Sequence, residues 1–160
     1  MNIQLQPVAK EEEPILHNLM QYYIYEFSSY MSIIKVNKRG SFDPFDLTVY
    51  WTDAHHHPFF IRVDGELAGF VLVQSEVGEI PNSIKEFFVM RSFEGKGIGK
   101  FAAKQIFDTF PGNWFVTQTE KNERARGFWR GIISSYTNGK YTERFDERNR
   151  SIQEFSTVNL

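Results

Sequence analysis

Apolar and polar positions divide this chain into blocks that read as strands and helices in turn. Ile3, Leu5 and Pro7 alternate with polar neighbours and predict a short first strand over residues 2–8. Glu11, Glu12 and Glu13 then precede Pro14. Acids favour the positive end of a helix dipole and proline tolerates the missing donor there, so a helix starts at this point. Leu16, Leu19, Met20, Tyr23, Ile24 and Phe27 continue its apolar face. Residues 28–40 fit either a second short helix or a loop. Asp43-Pro44 predicts a turn and residues 47–51 a short helix.

The next blocks change period. Apolar residues 59–63 and 67–74 flank Asp64-Gly65, a tight-hairpin signal. A connection over 75–83, with Gly78 and Pro81, leads to an apolar strand over 84–90. That strand stops at a polar, glycine-rich turn over 91–99. Ile98, Phe101, Ala102, Ile106 and Phe110 then recur at helical spacing, until Pro111-Gly112 ends the helix. A strand over 114–119 follows. One crossover helix between two strands makes them parallel neighbours. Ala125, Phe128, Trp129, Ile132 and Ile133 give one more amphipathic helix. Asn138-Gly139 turns the chain into a closing hairpin, 141–146 with 151–158.

Composition sets bounds on this picture. The 160 residues predict one domain over 1–160, large enough for a real core, and 16 Phe make that core aromatic. A net charge of −2 argues against a nucleic-acid partner. The absence of cysteine excludes disulfides, a thiol nucleophile and thiolate-bound zinc, and suits a reducing cytoplasm. The start MNIQLQPV lacks a basic, then apolar, leader, so no signal peptide is expected. No run approaches the roughly 20 apolar residues that span a bilayer, so no membrane partner is expected. His55, His56 and His57 lack ligand spacing. They read as loop at the edge of a pocket, with no metal.

The chemistry concentrates at the turn after residue 90. Gly95, Gly97 and Gly99 fall within five residues, beside Lys96 and Lys100. Glycine reaches positive φ cheaply, so successive N–H groups there can face one anion ahead of a helix N-terminus. The ATP loop GxxxxGK followed by Ser or Thr is absent. The dinucleotide fingerprint is missed by one residue, although Glu120 stands where a ribose-binding acid would.

The run EFFVMRSFEGKGIGK closely resembles the central motif of the GCN5-related N-acetyltransferase (GNAT) family. That motif is an apolar strand, then Gln/Arg-x-x-Gly-x-Gly/Ala, then a helix. Gly97, Ile98 and Gly99 match its end, while Glu94 stands where the family has Gln or Arg. Asn122, Ala125, Phe128 and Trp129 match a second family pattern, Asn-x-x-Ala-x-x-Phe-Tyr, with Trp129 at the tyrosine. The resemblance implies an α/β (α+β) acyl-CoA N-acyltransferase fold. Its mixed, mostly antiparallel sheet has about six or seven strands flanked by about four helices.

The resemblance also implies a function. The protein would transfer the acetyl group of acetyl-CoA to a primary amine, on a small molecule or a protein, by direct attack. Acetyl-CoA would be its cosubstrate, and a homodimer is common in the family. The pyrophosphate would lie on the amides of Glu94, Gly95, Lys96, Gly97, Ile98 and Gly99, with Lys100 alongside as a further cofactor-binding residue. Pantetheine would insert between the splayed strands at Phe88, Val89 and Met90, and Asn122 would contact the cofactor. A main-chain N–H near Val89 would polarise the thioester. Glu86, three residues earlier, would be the general base. Tyr22, Tyr25 and Tyr30 are candidates for the acceptor wall. Indole cannot protonate a departing thiolate, so Trp129 leaves open a non-catalytic acyl-CoA-binding or sensing protein of the same fold. A nucleotide-dependent oxidoreductase using Glu120 is the third reading.

Overall fold

The computed structural model describes residues 1–158 and 160. Its chain alternates short strands with amphipathic helices. In order they are β1 (Ile3–Pro7), α1 (Glu13–Phe27), α2 (Val49–Thr52), β2 (His56–Val63), β3 (Glu66–Gln74) and β4 (Asn82–Val89). Then come α3 (Ile98–Thr109), β5 (Asn113–Gln118), α4 (Glu123–Thr137), β6 (Tyr141–Phe145) and β7 (Ser151–Ser156). The strands form one sheet in the order β1-β2-β3-β4-β5-β7-β6, antiparallel throughout except for β4 against β5. This is the mixed α/β architecture that the hydrophobic pattern and the motif resemblance predict. The one parallel pair carries the one crossover helix. A doubly wound sheet would need a series of such units, so the dinucleotide reading through Glu120 falls away.

The sheet is packed on both faces. Against one lie α3 and α4, with Ile61, Val71, Ile84, Ile106, Phe107 and Trp129 among the buried residues. Against the other lies α1, whose Leu16, Leu19 and Met20 meet Phe60, Phe70, Leu72 and Phe88. Residues 28–48 turn and bend without a helix. Helical spacing puts Phe101 on the buried face of α3, but it is 43% exposed. Ala102, Ala103, Ile106 and Phe107 face the sheet instead. His56 and His57 belong to β2, not to a loop. They bond Asp53 at 2.7 Å and Ser75 at 2.9 Å and lie away from the pocket described below.

Two irregularities set up the site. The β3–β4 register shifts between Leu72 and Val73, leaving Lys85 as an extra residue on β4. The bulge breaks strict alternation. Ile84 packs with the α3/α4 side and Phe88 with the α1 side, although their even spacing would put both on one face. Gly69 lies hard against the other end of β4. A Cβ there would stand 1.9 Å from the Phe88 carbonyl oxygen, which is main chain and cannot rotate away. Gly69→Ala is therefore expected to cost about 3 kcal/mol or more, as a lower urea midpoint. An unchanged midpoint would show that β3 and β4 are not held this closely.

Candidate active site

The site begins where β4 and β5 part company. Only Asn82 with Trp114 and Ser83 with Phe115 pair across these strands. The ladder stops at Ser83, just before the Lys85 bulge. The Met90 N–H donates to the Ala68 carbonyl at 2.8 Å, toward β3. Donors along a strand alternate in direction, so the amide of Val89 turns the other way, into the opening. A strand edge carrying free donors and acceptors suits a peptide-like chain.

The opening ends at the glycine turn. A short 3-10 turn over Arg91–Phe93 follows β4, and the Glu94 amide closes it by donating to the Arg91 carbonyl at 3.1 Å. That amide is therefore engaged within the chain, and the row of free donors begins one residue later. Gly95 and Gly97 both sit at φ +77°, a left-handed conformation that side chains rarely adopt. Gly97 caps α3 and accepts from the Phe101 amide. The amides of Ile98, Gly99 and Lys100 have no partner inside the helix, as in any first turn. Successive N–H groups without a partner thus lie at the positive end of a 12-residue helix, where negative charge is favoured. Gly99 also lets α4 approach, since a Cβ there would meet the Phe128 ring at 3.1 Å.

A cavity of about 340 Å³ joins the turn to the opening. Of the residues assigned to the cofactor from sequence, Phe88, Val89, Glu94, Gly95, Gly97, Ile98, Gly99, Lys100 and Asn122 line it. Two do not. Met90 packs under α1, and Lys96 holds its Nζ 5.9 Å over the Phe93 ring. The Glu94 carboxylate is paired with Arg124 at 2.9 Å, which offsets a negative charge beside the glycine turn. Asn122 caps α4 by accepting from the Ala125 amide at 3.1 Å. That uses its oxygen, while its amide nitrogen has no partner among the described residues. Trp129 is 5% exposed and meets Phe87 edge-on at 5.0 Å. It fills the wall but carries no acidic hydroxyl.

The opposite wall comes from α1. Tyr23, Glu26 and Phe27 share one helical face, and Tyr30 follows just past the helix end. Of the three tyrosines named from sequence, only Tyr30 lines the cavity; Tyr22 and Tyr25 point to solvent. Periodicity makes Tyr23 a core residue, and it does pack on Phe70 and Phe88. Its hydroxyl, however, donates to the Glu86 carboxylate. Glu86 itself stands behind Tyr23. Burial pushes its carboxyl up to about 7, against a smaller opposing effect of the Tyr23 hydrogen bond and of Lys85. Burial and the neighbouring Glu86 charge push the Tyr23 hydroxyl well above its ordinary range, so it stays a donor. The arrangement holds a largely buried carboxylate on β4 behind the Tyr23 ring, outside the residues that line the cavity.

The fold that carries this cavity is a known one. The model of the acetyltransferase (GNAT) family matches residues 16–132. The chain belongs to this family. A search of curated protein sequences finds no match. Solved structures do resemble it. An acetyltransferase from Thermus thermophilus superposes with a TM-score of 0.70 at 15% identity, over 98% of this chain and 97% of that one. The ribosomal L7/L12 α-N-protein acetyltransferase RimL, in complex with coenzyme A, gives 0.66 at 12% identity, over 98% and 94%. The PaiA N-acetyltransferase from Thermoplasma acidophilum, also in complex with coenzyme A, gives 0.63 at 12%, over 98% and 99%. At these identities the likeness shows the fold. Among the described residues, no helix of this GNAT protein is long and apolar enough to cross a membrane.

Proposed function

We propose that this protein transfers the acetyl group of acetyl-CoA to a primary amine by direct attack, with Glu86 as general base. The observation that carries the reading is the row of free amides from Gly95 to Lys100, opening into the gap between β4 and β5. The residues present fit the diphosphate of coenzyme A. Two left-handed glycines present main-chain donors, and Lys100 adds a positive charge beside them. Acetyl-CoA supplies the activated acyl group when bound. The chain's own residues do the rest.

Val89 turns its amide toward the gap, where it can donate to a carbonyl oxygen that gains negative charge during attack. Glu86 takes a proton from the incoming ammonium through intervening water and frees the nitrogen lone pair. Tyr23 orients the Glu86 carboxylate through its hydroxyl. When the new C–N bond has formed and the C–S bond breaks, the leaving sulfur departs as thiolate. A thiol with a pKa of about 8.5 needs little help to leave, so a tryptophan at residue 129 is compatible with turnover. The proton lost by the nitrogen can then reach the sulfur through solvent.

Trp129 favours one second reading, a protein that binds acyl-CoA without turnover. Two measurements on folded protein separate the readings. Calorimetry should detect coenzyme A uptake, and free thiol should appear only when acetyl-CoA and an amine are both present. Uptake without amine-dependent thiol release would select the binding protein. Absence of uptake would remove both readings.

A further inference from the structure

We infer that the acceptor is a monoamine with an apolar or aromatic body, and that the Glu26–Arg91 pair enforces this by withholding both of its charges from the cavity. The inference rests on the acetyl-transfer reading and names the substrate class for it. It begins with the rings of the α1 wall. Tyr30 meets Phe27 at 6.2 Å, Phe27 meets Tyr23 at 5.8 Å and Tyr23 meets Phe88 at 5.9 Å. The ladder ends where the Tyr23 hydroxyl reaches Glu86. An aromatic wall of this kind takes an apolar body by burial.

The charges along the cavity point the same way. On the α1 side the charged lining residues are Glu26 and Arg91. Arg91 donates to both Glu26 oxygens, at 2.7 and 2.8 Å. Each group cancels the other. A second ammonium on the acceptor, as in a polyamine, would need a free carboxylate. An α-carboxylate, as in an amino acid, would need a free guanidinium. Lys100, Glu94 and Arg124 stand on the glycine-turn side, the last two paired with each other. What remains is one amino group on an uncharged arm.

The pair has little structural purpose to explain it. Arg91 is 69% exposed along its side chain, and ion pairs in water add little to a fold. Removing either partner should therefore leave a folded protein with one charge set free. That makes the inference testable by two single substitutions.

The experiment measures kcat/KM at saturating acetyl-CoA for 2-phenylethylamine, L-phenylalanine and spermidine. The wild-type protein should favour phenylethylamine over both others by about 30-fold or more, since each of those leaves a charge unmatched. R91Q frees the Glu26 carboxylate and should narrow the spermidine gap by roughly tenfold. E26Q frees the Arg91 guanidinium and should narrow the phenylalanine gap to a similar extent. Each change is read as a ratio to phenylethylamine in the same variant, which cancels any general loss. The inference is overturned if spermidine or phenylalanine matches phenylethylamine in the wild type, if neither variant moves its ratio, or if none of the three is acetylated. Calorimetry with coenzyme A on the same preparations separates the two levels. Uptake with the wrong amine order removes this inference alone, whereas no uptake removes acetyl transfer itself.

Discussion

E86Q should lose about 10²–10⁴-fold in kcat/KM at pH 8 while becoming more stable at that pH. Both effects come from one feature, a carboxylate held out of water. Its carboxyl is pushed from 4.5 up to about 7, chiefly by burial. The sign of the stability effect follows from proton binding. Between about 4.5 and 7 the folded protein keeps the Glu86 proton while the unfolded chain has lost it, so stability falls as pH rises through that window. Above pH 7 the full cost is present, about 3 kcal/mol at roughly 1.4 kcal/mol per tenfold change in proton affinity. Glutamine removes the charge and keeps an oxygen for the Tyr23 hydroxyl. Its own N–H groups need partners, which returns roughly 1 kcal/mol. The net gain of about 2 kcal/mol should raise Tm by roughly 4–8 °C at pH 8 and vanish near pH 5.

The activity profile carries a matching signature. Wild-type kcat/KM should rise with pH and bend near 7, on top of the slope from the amine's own deprotonation. E86Q should keep only the amine's slope. A variant with a lower Tm at pH 8, or one whose rate stays within tenfold of wild type, would remove Glu86 from the role of base. Tyr23→Phe tests the positioning argument beside it. Loss of the hydroxyl removes a bond that favours the charged carboxylate, so the bend should move upward in pH. A merely structural tyrosine would leave the bend in place.

How much of this is legible in the sequence differs from one wall of the cavity to the other. The glycine-turn wall is readable because each level agrees there. The period changes from strand to helix between Met90 and Ile98, glycines sit at the break, and the family motif covers the same residues. The α1 wall is not. Periodicity shows that Tyr23 and Phe27 face inward, but inward residues over a gap in the sheet line a cavity, while inward residues over paired strands make core. The gap depends on where β4 and β5 separate, next to the bulge at Lys85, and EFFV and its flanks carry no signal for either. The same bulge separates Ile84 from the face shared by Phe88, so strict alternation misplaces one of them. Phe101 misleads for a simpler reason. Its spacing fits the apolar stripe, yet the stripe is already filled by Ala102, Ala103, Ile106 and Phe107, whose arc is centred away from it. The Glu26–Arg91 pair spans 65 residues and leaves no local pattern.

Substitution of the two left-handed glycines should have the largest effect on the cosubstrate. Gly95 and Gly97 share a φ of +77°, and a Cβ at either would meet nothing within 4 Å. Space is therefore not the constraint; conformation is. An L-residue other than glycine costs roughly 1–2 kcal/mol in that region. Alanine at both sites should make the turn relax toward negative φ, which swings the following amides off their common target. Two amide bonds to a charged phosphate oxygen are worth about 1.5–3 kcal/mol each, so the Kd for coenzyme A should rise by at least about 100-fold. Asparagine separates this cause from general damage. It tolerates the left-handed region better than alanine, so G97N should bind more tightly than G97A, with wild type above both. Calorimetry on wild type and these two variants reads the order directly. Equal affinities across glycine, asparagine and alanine would mean that these amides do not hold the diphosphate, and the cradle would reduce to a turn between β4 and α3.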